Sequence, residues 1–215
     1  MESAEKRIHE IIRILKKSYP HSRTALHFEN PLQILIATIL SAQCTDKKVN
    51  EITPSLFNKY KSAADFAQAD LKELEEEIRP TGFFRNKTKS IIEASKKIVS
   101  DYGGKVPDNM DELLTLPGVA RKTANIVLSS GFKKAEGIAV DTHVKRLAGR
   151  LGLSSETNPD KIEQDLMRIV PKSEWLGFNY ILVNHGRAVC QAKKPDCENC
   201  MVNQLCPYYQ NLKKT

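Results

Sequence analysis

The chain has 215 residues, with 33 Lys and Arg against 26 Asp and Glu, a formal net charge of +7 and 40% hydrophobic residues. That apolar share is enough for one large or two small packed domains and excludes a disordered chain, while the basic excess favours a polyanionic partner without identifying it. The start, Met1 to Arg7, is charged and the longest apolar stretch, Ile34 to Leu40, is far too short to span a bilayer, so the sequence reads as a soluble intracellular protein without a membrane partner.

In chain order, Ile8, Ile11, Ile12 and Leu15 form a helical stripe that ends near Ser18-Tyr19-Pro20, a scaffold helix. Asn30-Pro31 opens the apolar run Leu32 to Leu40, with Pro31 suited to a first helical turn. Its length and lack of strand punctuation predict a buried helix. The run ends at the small polar patch Ser41-Ala42-Gln43-Cys44-Thr45-Asp46, where Thr45 or Asp46 is placed to cap the next helix. From Val49 to Val106 the pattern stays helical, with Leu71 to Ile78 a charged face over an apolar seam. Arg79-Pro80-Thr81-Gly82 breaks it, and the next helix is predicted from Ser90 to Val99. Between them lie Phe83 and Phe84, followed by Arg85, Lys87 and Lys89. Paired phenylalanines are usually core, but a basic loop presenting an aromatic ring also suits stacking on nucleobases.

A tight turn, Leu116-Pro117-Gly118-Val119, then separates the apolar pair Leu113 and Leu114 from a second run at Ala124, Ile126, Val127 and Leu128. The first amides of the second helix have no partner within it and carry the positive end of its dipole, which suits a phosphate oxygen. Arg121 and Lys122 stand beside that seat. Further on, Ile138-Ala139-Val140 stops at Asp141, placed to cap a helix start. Helical patterns resume at Leu147, Leu151 and Leu153, and again at Ile162, Leu166, Ile169 and Val170 before Pro171. The residues from Trp175 to Val189 lead into a cysteine segment. No strand series is present, and the chain reads as all-α.

Cys44 stands alone, whereas Cys190, Cys197, Cys200 and Cys206 follow the pattern Cys-x6-Cys-x2-Cys-x5-Cys. Thiols so crowded in a chain without a secretion signal point to a metal centre rather than disulfides. Zinc sites usually pair two short knuckles across a longer spacer, so an iron-sulfur cluster fits this single compact loop better, although the spacing leaves zinc open. Lys193 and Lys194, inside the loop, would project towards phosphates. Read alone, Lys122 is more simply a phosphate-binding surface lysine and Asp141 a plain helix cap. As a nucleophile, Lys122 needs its free amine, which burial, Arg121 and the positive helix end would favour.

The segments Leu116 to Asn125, Val140-Asp141-Thr142-His143, Leu40 to Asp46, His185-Gly186-Arg187 and the four cysteines together resemble the endonuclease III family of DNA glycosylases, within the helix-hairpin-helix superfamily. The resemblance covers nearly the whole chain. It implies two helical lobes with DNA in a cleft between them: residues 24–135 as a six-helix lobe with the hairpin, and residues 1–23 with 136–215 as the cluster lobe. Lys122 and Asp141 would then face each other from different lobes. It further implies a base-excision-repair glycosylase that removes oxidised pyrimidines, with Lys122 forming a Schiff base and the strand nicked by β-elimination. Asp141 corresponds to the essential carboxylate, Gln43 to the residue filling the vacated stack, and Phe83 to a wedge beside the unpaired partner. The hairpin residues Leu116, Gly118, Val119 and Ala120, with Lys193 and Lys194, would contact DNA. Cys190, Cys197, Cys200 and Cys206 would bind a 4Fe-4S cluster. The implied partner is double-stranded DNA containing damaged bases or abasic sites, met by a monomer that is cytoplasmic and nucleoid-associated if bacterial. Ala120 departs from the family pattern, which has a second glycine there; a positive φ at that residue would cost of order 1 kcal/mol. The rival readings are a monofunctional mismatch glycosylase and a non-catalytic iron-sulfur DNA-binding protein.

Overall fold

The computed structural model describes residues 2–213. In chain order its α-helices are α1 (Ala4–Ser18), α2 (Pro31–Leu40), α3 (Asp46–Lys59), α4 (Ala63–Ala67), α5 (Leu71–Ile78), α6 (Phe84–Tyr102), α7 (Met110–Leu114), α8 (Arg121–Ile126), α9 (Thr142–Arg150), α10 (Pro159–Ile169), α11 (Trp175–Ala188) and α12 (Pro207–Leu212). No described residue lies in a strand, so the fold is all-α. Among the described residues no helix is long and apolar enough to cross a membrane.

Short polar residues set most of the helix starts. Asn30 accepts a hydrogen bond from the Gln33 amide at 3.0 Å with Pro31 at the first helical position, and Thr45 accepts from the Lys48 amide at 3.2 Å. Ser62 and Asp65 form a reciprocal capping box on α4, and Asp70, Asn109 and Asn158 cap α5, α7 and α10. Each cap satisfies an amide that the helix cannot. At the other end of α6, Gly103 turns left-handed at φ 58° and the Gly104 amide reaches back to the Ile98 carbonyl at 2.9 Å.

The chain divides into two compact units, Ala25–Lys134 and Met1–Thr24 with Ala135–Thr215. In the first, α2 is the axis: Ile34, Leu35, Ile36 and Leu40 are fully buried among Phe66, Leu74, Ile78, Ile91, Ala124 and Val127. The Thr38 hydroxyl, buried in the same helix, donates to the Ile34 carbonyl at 2.7 Å and so brings no unpaired group into the core. In the second unit, Ile8, Ile11 and Leu15 of α1 pack with Leu147, Leu166, Phe178 and Leu182. Each such side chain contributes roughly 1.5–3 kcal/mol by leaving water.

The sequence pattern did not foresee two features of the first unit. The helical path of α8 continues as a π-helix over Val127–Phe132, whose Gly131 lies so close to α2 that a Cβ there would sit 3.1 Å from Ile34 Cγ2. The helix α6 begins at Phe84 rather than Ser90. The basic stretch after Phe83 is therefore its first turns and not a loop.

Candidate functional site

The hairpin between α7 and α8 is built on two apolar anchors. Leu116 and Val119 are only 2% and 7% exposed and sit in the core, so their side chains hold the turn while Pro117, Gly118 and Ala120 face solvent. The Val119 amide is spent inside the turn, donating to the Leu116 carbonyl at 3.1 Å. Gly118 has φ 77°, and a Cβ built on it would lie 2.6 Å from Ser90 Cβ of α6. Backbone conformation and close packing both demand glycine there. Ala120, at φ −92° and ψ 169°, is extended with negative φ, so its methyl group brings no strain and the departure from glycine is harmless to the backbone. No side chain caps α8 at Ala120. Lys122, on the first turn of α8, is exposed rather than buried, and its ammonium has no partner among the described residues.

Beside the hairpin, Gln43 and Phe83 share an unusual backbone state. Both are left-handed, with φ 53° and 48°, and neither is a residue type that adopts this conformation at low cost. Phe83 is 61% exposed, whereas Phe84 is half-buried against the core with Arg79 and Arg85 each 5.6 Å from its ring centre. The core reading of the phenylalanine pair thus holds for Phe84, and the presented-ring reading for Phe83. Lys87, expected in a basic loop, is instead 5% exposed and donates to the carbonyls of Leu40 and Thr81 at 2.7 and 2.8 Å. Burial pushes its ammonium below the usual lysine range. Gln43, Phe83, Lys87, Ser90, Gly118 and Thr123 line one open cleft of about 280 Å³.

In the other unit, Asp141 caps α9. Its Oδ1 accepts from the amides of His143 and Val144 at 2.9 and 2.8 Å, while Oδ2 takes no part in the cap and lies 3.4 Å from His143 Nδ1. About a quarter of the side chain is exposed, at 24%. One carboxylate oxygen is therefore structural and the other is left for solvent or substrate.

Cys190, Cys197, Cys200 and Cys206 line a single cavity, and every cysteine of the chain is free of disulfides. Among the described residues no three His, Cys, Asp or Glu side chains are spaced to hold a single metal ion. Burial pushes the Cys200 thiol up to about 11 and also raises Cys197 and Cys206. His185, buried beneath, has its Nε2 3.5 Å from Cys200 Sγ and its Nδ1 3.2 Å from the Tyr19 hydroxyl.

Two residues that sequence reading missed shape this loop. Arg150 donates to Cys190 Sγ at 3.3 Å and to the carbonyls of Gln191 and Ala192 at 2.8 and 2.9 Å, and Arg146 donates to the carbonyls of Cys190 and Gly186, each at 3.2 Å. Their spacing of four on a helix puts them on one face, a signal readable in sequence only once that face is known to meet the cysteines. Lys193 and Lys194, just beyond these ties, are exposed.

Residues 36–172 match the model of the HhH-GPD superfamily of base excision DNA repair proteins. Endonuclease III of Synechocystis sp. is 53% identical over 210 residues, spanning 98% of this chain and 96% of that protein. A structure of a non-covalent endonuclease III–DNA complex superposes with a TM-score of 0.92 at 38% identity over 100% of both chains. A trapped endonuclease III–DNA covalent intermediate, an estranged-adenine complex, does so with 0.92 at 39% identity over 99% of this chain and 100% of that one.

Proposed function

Because the chain belongs to the HhH-GPD superfamily and, within it, to the endonuclease III family, we propose that Lys122 and Asp141 carry the chemistry of its activity. The protein is a base-excision DNA glycosylase with abasic-site lyase activity, acting on damaged double-stranded DNA through a Schiff base. Its preferred lesions, in this reading, are oxidised pyrimidines.

Lys122 Nζ attacks C1′ of the damaged nucleotide, the C1′–N bond breaks and the base leaves with its electron pair. The attached nitrogen gives one proton to the departing base and, as the C1′–O4′ bond breaks, its other proton to O4′, which leaves an imine between Nζ and C1′. Removal of a proton at C2′ then expels the 3′ phosphate by β-elimination. The observation that carries this assignment is a lysine with an unpaired ammonium on the first turn after the hairpin. Lys122 is exposed in the free protein, so water is excluded from its Nζ only once DNA covers it. Asp141 Oδ2, not engaged in the cap, supports the cationic sugar as the base departs and handles the amine's protons.

The nucleotide must be extruded first, at a cost of a few kcal/mol. Gln43 fills the vacated stack and Phe83 wedges beside the estranged partner. Transferring the exposed Phe83 ring from water into the base stack returns about 2 kcal/mol, the same order as the cost it offsets. The exposed backbone at Gly118 and Ala120 approaches the phosphates, with Leu116 and Val119 acting through the turn they anchor, and Lys193 and Lys194 meet phosphates from the cysteine loop.

Cys190, Cys197, Cys200 and Cys206 would hold a 4Fe-4S cluster. Four free thiols around one cavity, supplied by a single compact loop rather than two knuckles, fit a cluster with four thiolate ligands. When bound it supplies a cross-link that fixes the loop, and no step above uses it. Iron and acid-labile sulfide in anaerobically purified protein are the expected composition, and zinc alone would refute it.

Borohydride trapping on an oligonucleotide duplex containing thymine glycol tests the assignment. A covalent adduct should form with the native protein and vanish with Lys122→Ala. Base release without an adduct would indicate a monofunctional glycosylase, and binding without release a non-catalytic protein.

A further inference from the structure

Lys87 is a buried cation that the chemistry above does not use. A lysine that met phosphates would be exposed, whereas this one is 5% exposed and spends its donors on two main-chain carbonyls from separate parts of the chain. One carbonyl belongs to Leu40, the last residue of α2; the Cys44 amide that would continue the helix to it turns to Ser41 at 3.1 Å instead. The other belongs to Thr81, at the end of the 3-10 turn Arg79–Thr81 that precedes α6. Three residues beyond Leu40 stands Gln43, and two beyond Thr81, past Gly82 at φ 69°, stands Phe83. The two carbonyls bonded to Lys87 are therefore the roots of the two left-handed residues that border the same cleft.

We propose that Lys87 is a positioning residue for base extrusion: by tying the end of α2 to the turn before α6, its ammonium fixes the spacing at which Gln43 and Phe83 enter the duplex. This inference rests on the reading of Gln43 and Phe83 as inserting side chains. Left-handed glutamine and phenylalanine are held only where the surroundings over-determine them, and a shared hydrogen-bonded joint at both roots supplies that constraint. It acts before the imine forms and touches neither Nζ of Lys122 nor the departing base. Its signature is thus a loss on duplex substrates, abasic ones included, in which the partner base has to be estranged.

The test uses the full-length, metal-loaded protein with Lys87→Met, which keeps the length of the side chain and removes the donors, and Lys87→Gln, which keeps one donor and serves if the first does not fold. Single-turnover nicking of an abasic-site duplex is measured alongside the fluorescence rise of 2-aminopurine placed opposite the site, which reports estrangement of the partner base. Lys87→Met should lower the nicking rate about tenfold or more and shrink the fluorescence rise, as expected for misplaced inserting groups. The same substitution should cost nothing further in a Gln43→Ala Phe83→Ala background, and Lys87→Arg should recover part of the loss. An unchanged rate and fluorescence, or a loss equal in both backgrounds, would overturn the inference. Should Gln43→Ala Phe83→Ala by itself leave duplex nicking and fluorescence untouched, the insertion reading fails instead, and the two failures are told apart.

Discussion

The two units shape their exposed segments by opposite means. In Ala25–Lys134 the residues around the cleft depend on positive φ at Gln43, Gly82, Phe83 and Gly118, braced by one lysine. In the other unit no described residue from Cys190 to Cys206 has positive φ, and guanidinium groups tied to carbonyls hold the segment in place. Arg7, 4% exposed, does the same from α1, donating to the carbonyls of Leu151 and Leu205 at 2.9 and 2.6 Å. A lysine is a point charge suited to joining two carbonyls, while the planar fork of arginine reaches several at fixed angles. The difference also corrects the arithmetic of net charge: buried basic residues such as Arg7 and Lys87 count towards +7 but present nothing to a polyanion.

That contrast can be broken from either side. The largest effect is expected from Arg7→Met, which leaves two carbonyls near the cysteine loop without a donor and should destabilise the protein by about 3 kcal/mol, read by denaturant unfolding of the metal-loaded form. On the other side, Gly118→Ala forces a methyl group both into left-handed backbone and against Ser90, and should cost about 2 kcal/mol and weaken duplex binding. Its control is Ala120→Gly, which meets no such constraint and should cost less than about 1 kcal/mol, through unfolded-chain entropy alone. A stability loss at Ala120→Gly as large as at Gly118→Ala would show that the turn is not governed by φ. The smallest effect belongs to Lys193→Ala or Lys194→Ala: each should reduce the slope of log affinity against log salt by about 1, while Lys87→Met leaves that slope unchanged because its ammonium is not exposed to phosphate.

Local chemistry was legible in the sequence. The cap at Asp141, and Thr45 of the two candidates Thr45 and Asp46, were readable because a short polar residue before an apolar run is a local signal, and the structure has both. The buried run of α2 was visible for the same reason. What could not be read depended on contacts distant in sequence. Nothing local distinguishes Phe83 from Phe84, because the left-handed turn at Phe83 that separates them is held by Lys87 reaching Leu40, 47 positions away. The same contact explains why the start of α6 was misread: a run of Arg85, Lys87 and Lys89 resembles a solvated loop until one of the three is known to be buried. Lys122, for which burial was one of three routes to a free amine, is exposed, because covering by DNA is a contact that lies outside the chain altogether.

The double engagement of Asp141 has a consequence for how lost activity would look in this family. Since one oxygen starts α9, exchanging the residue for alanine forfeits about 1 kcal/mol of fold stability whether or not any chemistry is performed. A descendant that abandoned catalysis would keep an aspartate for the helix alone, so that residue is a poor marker of a living enzyme. Lys122, which no neighbour in the free protein requires, would be the first to drift.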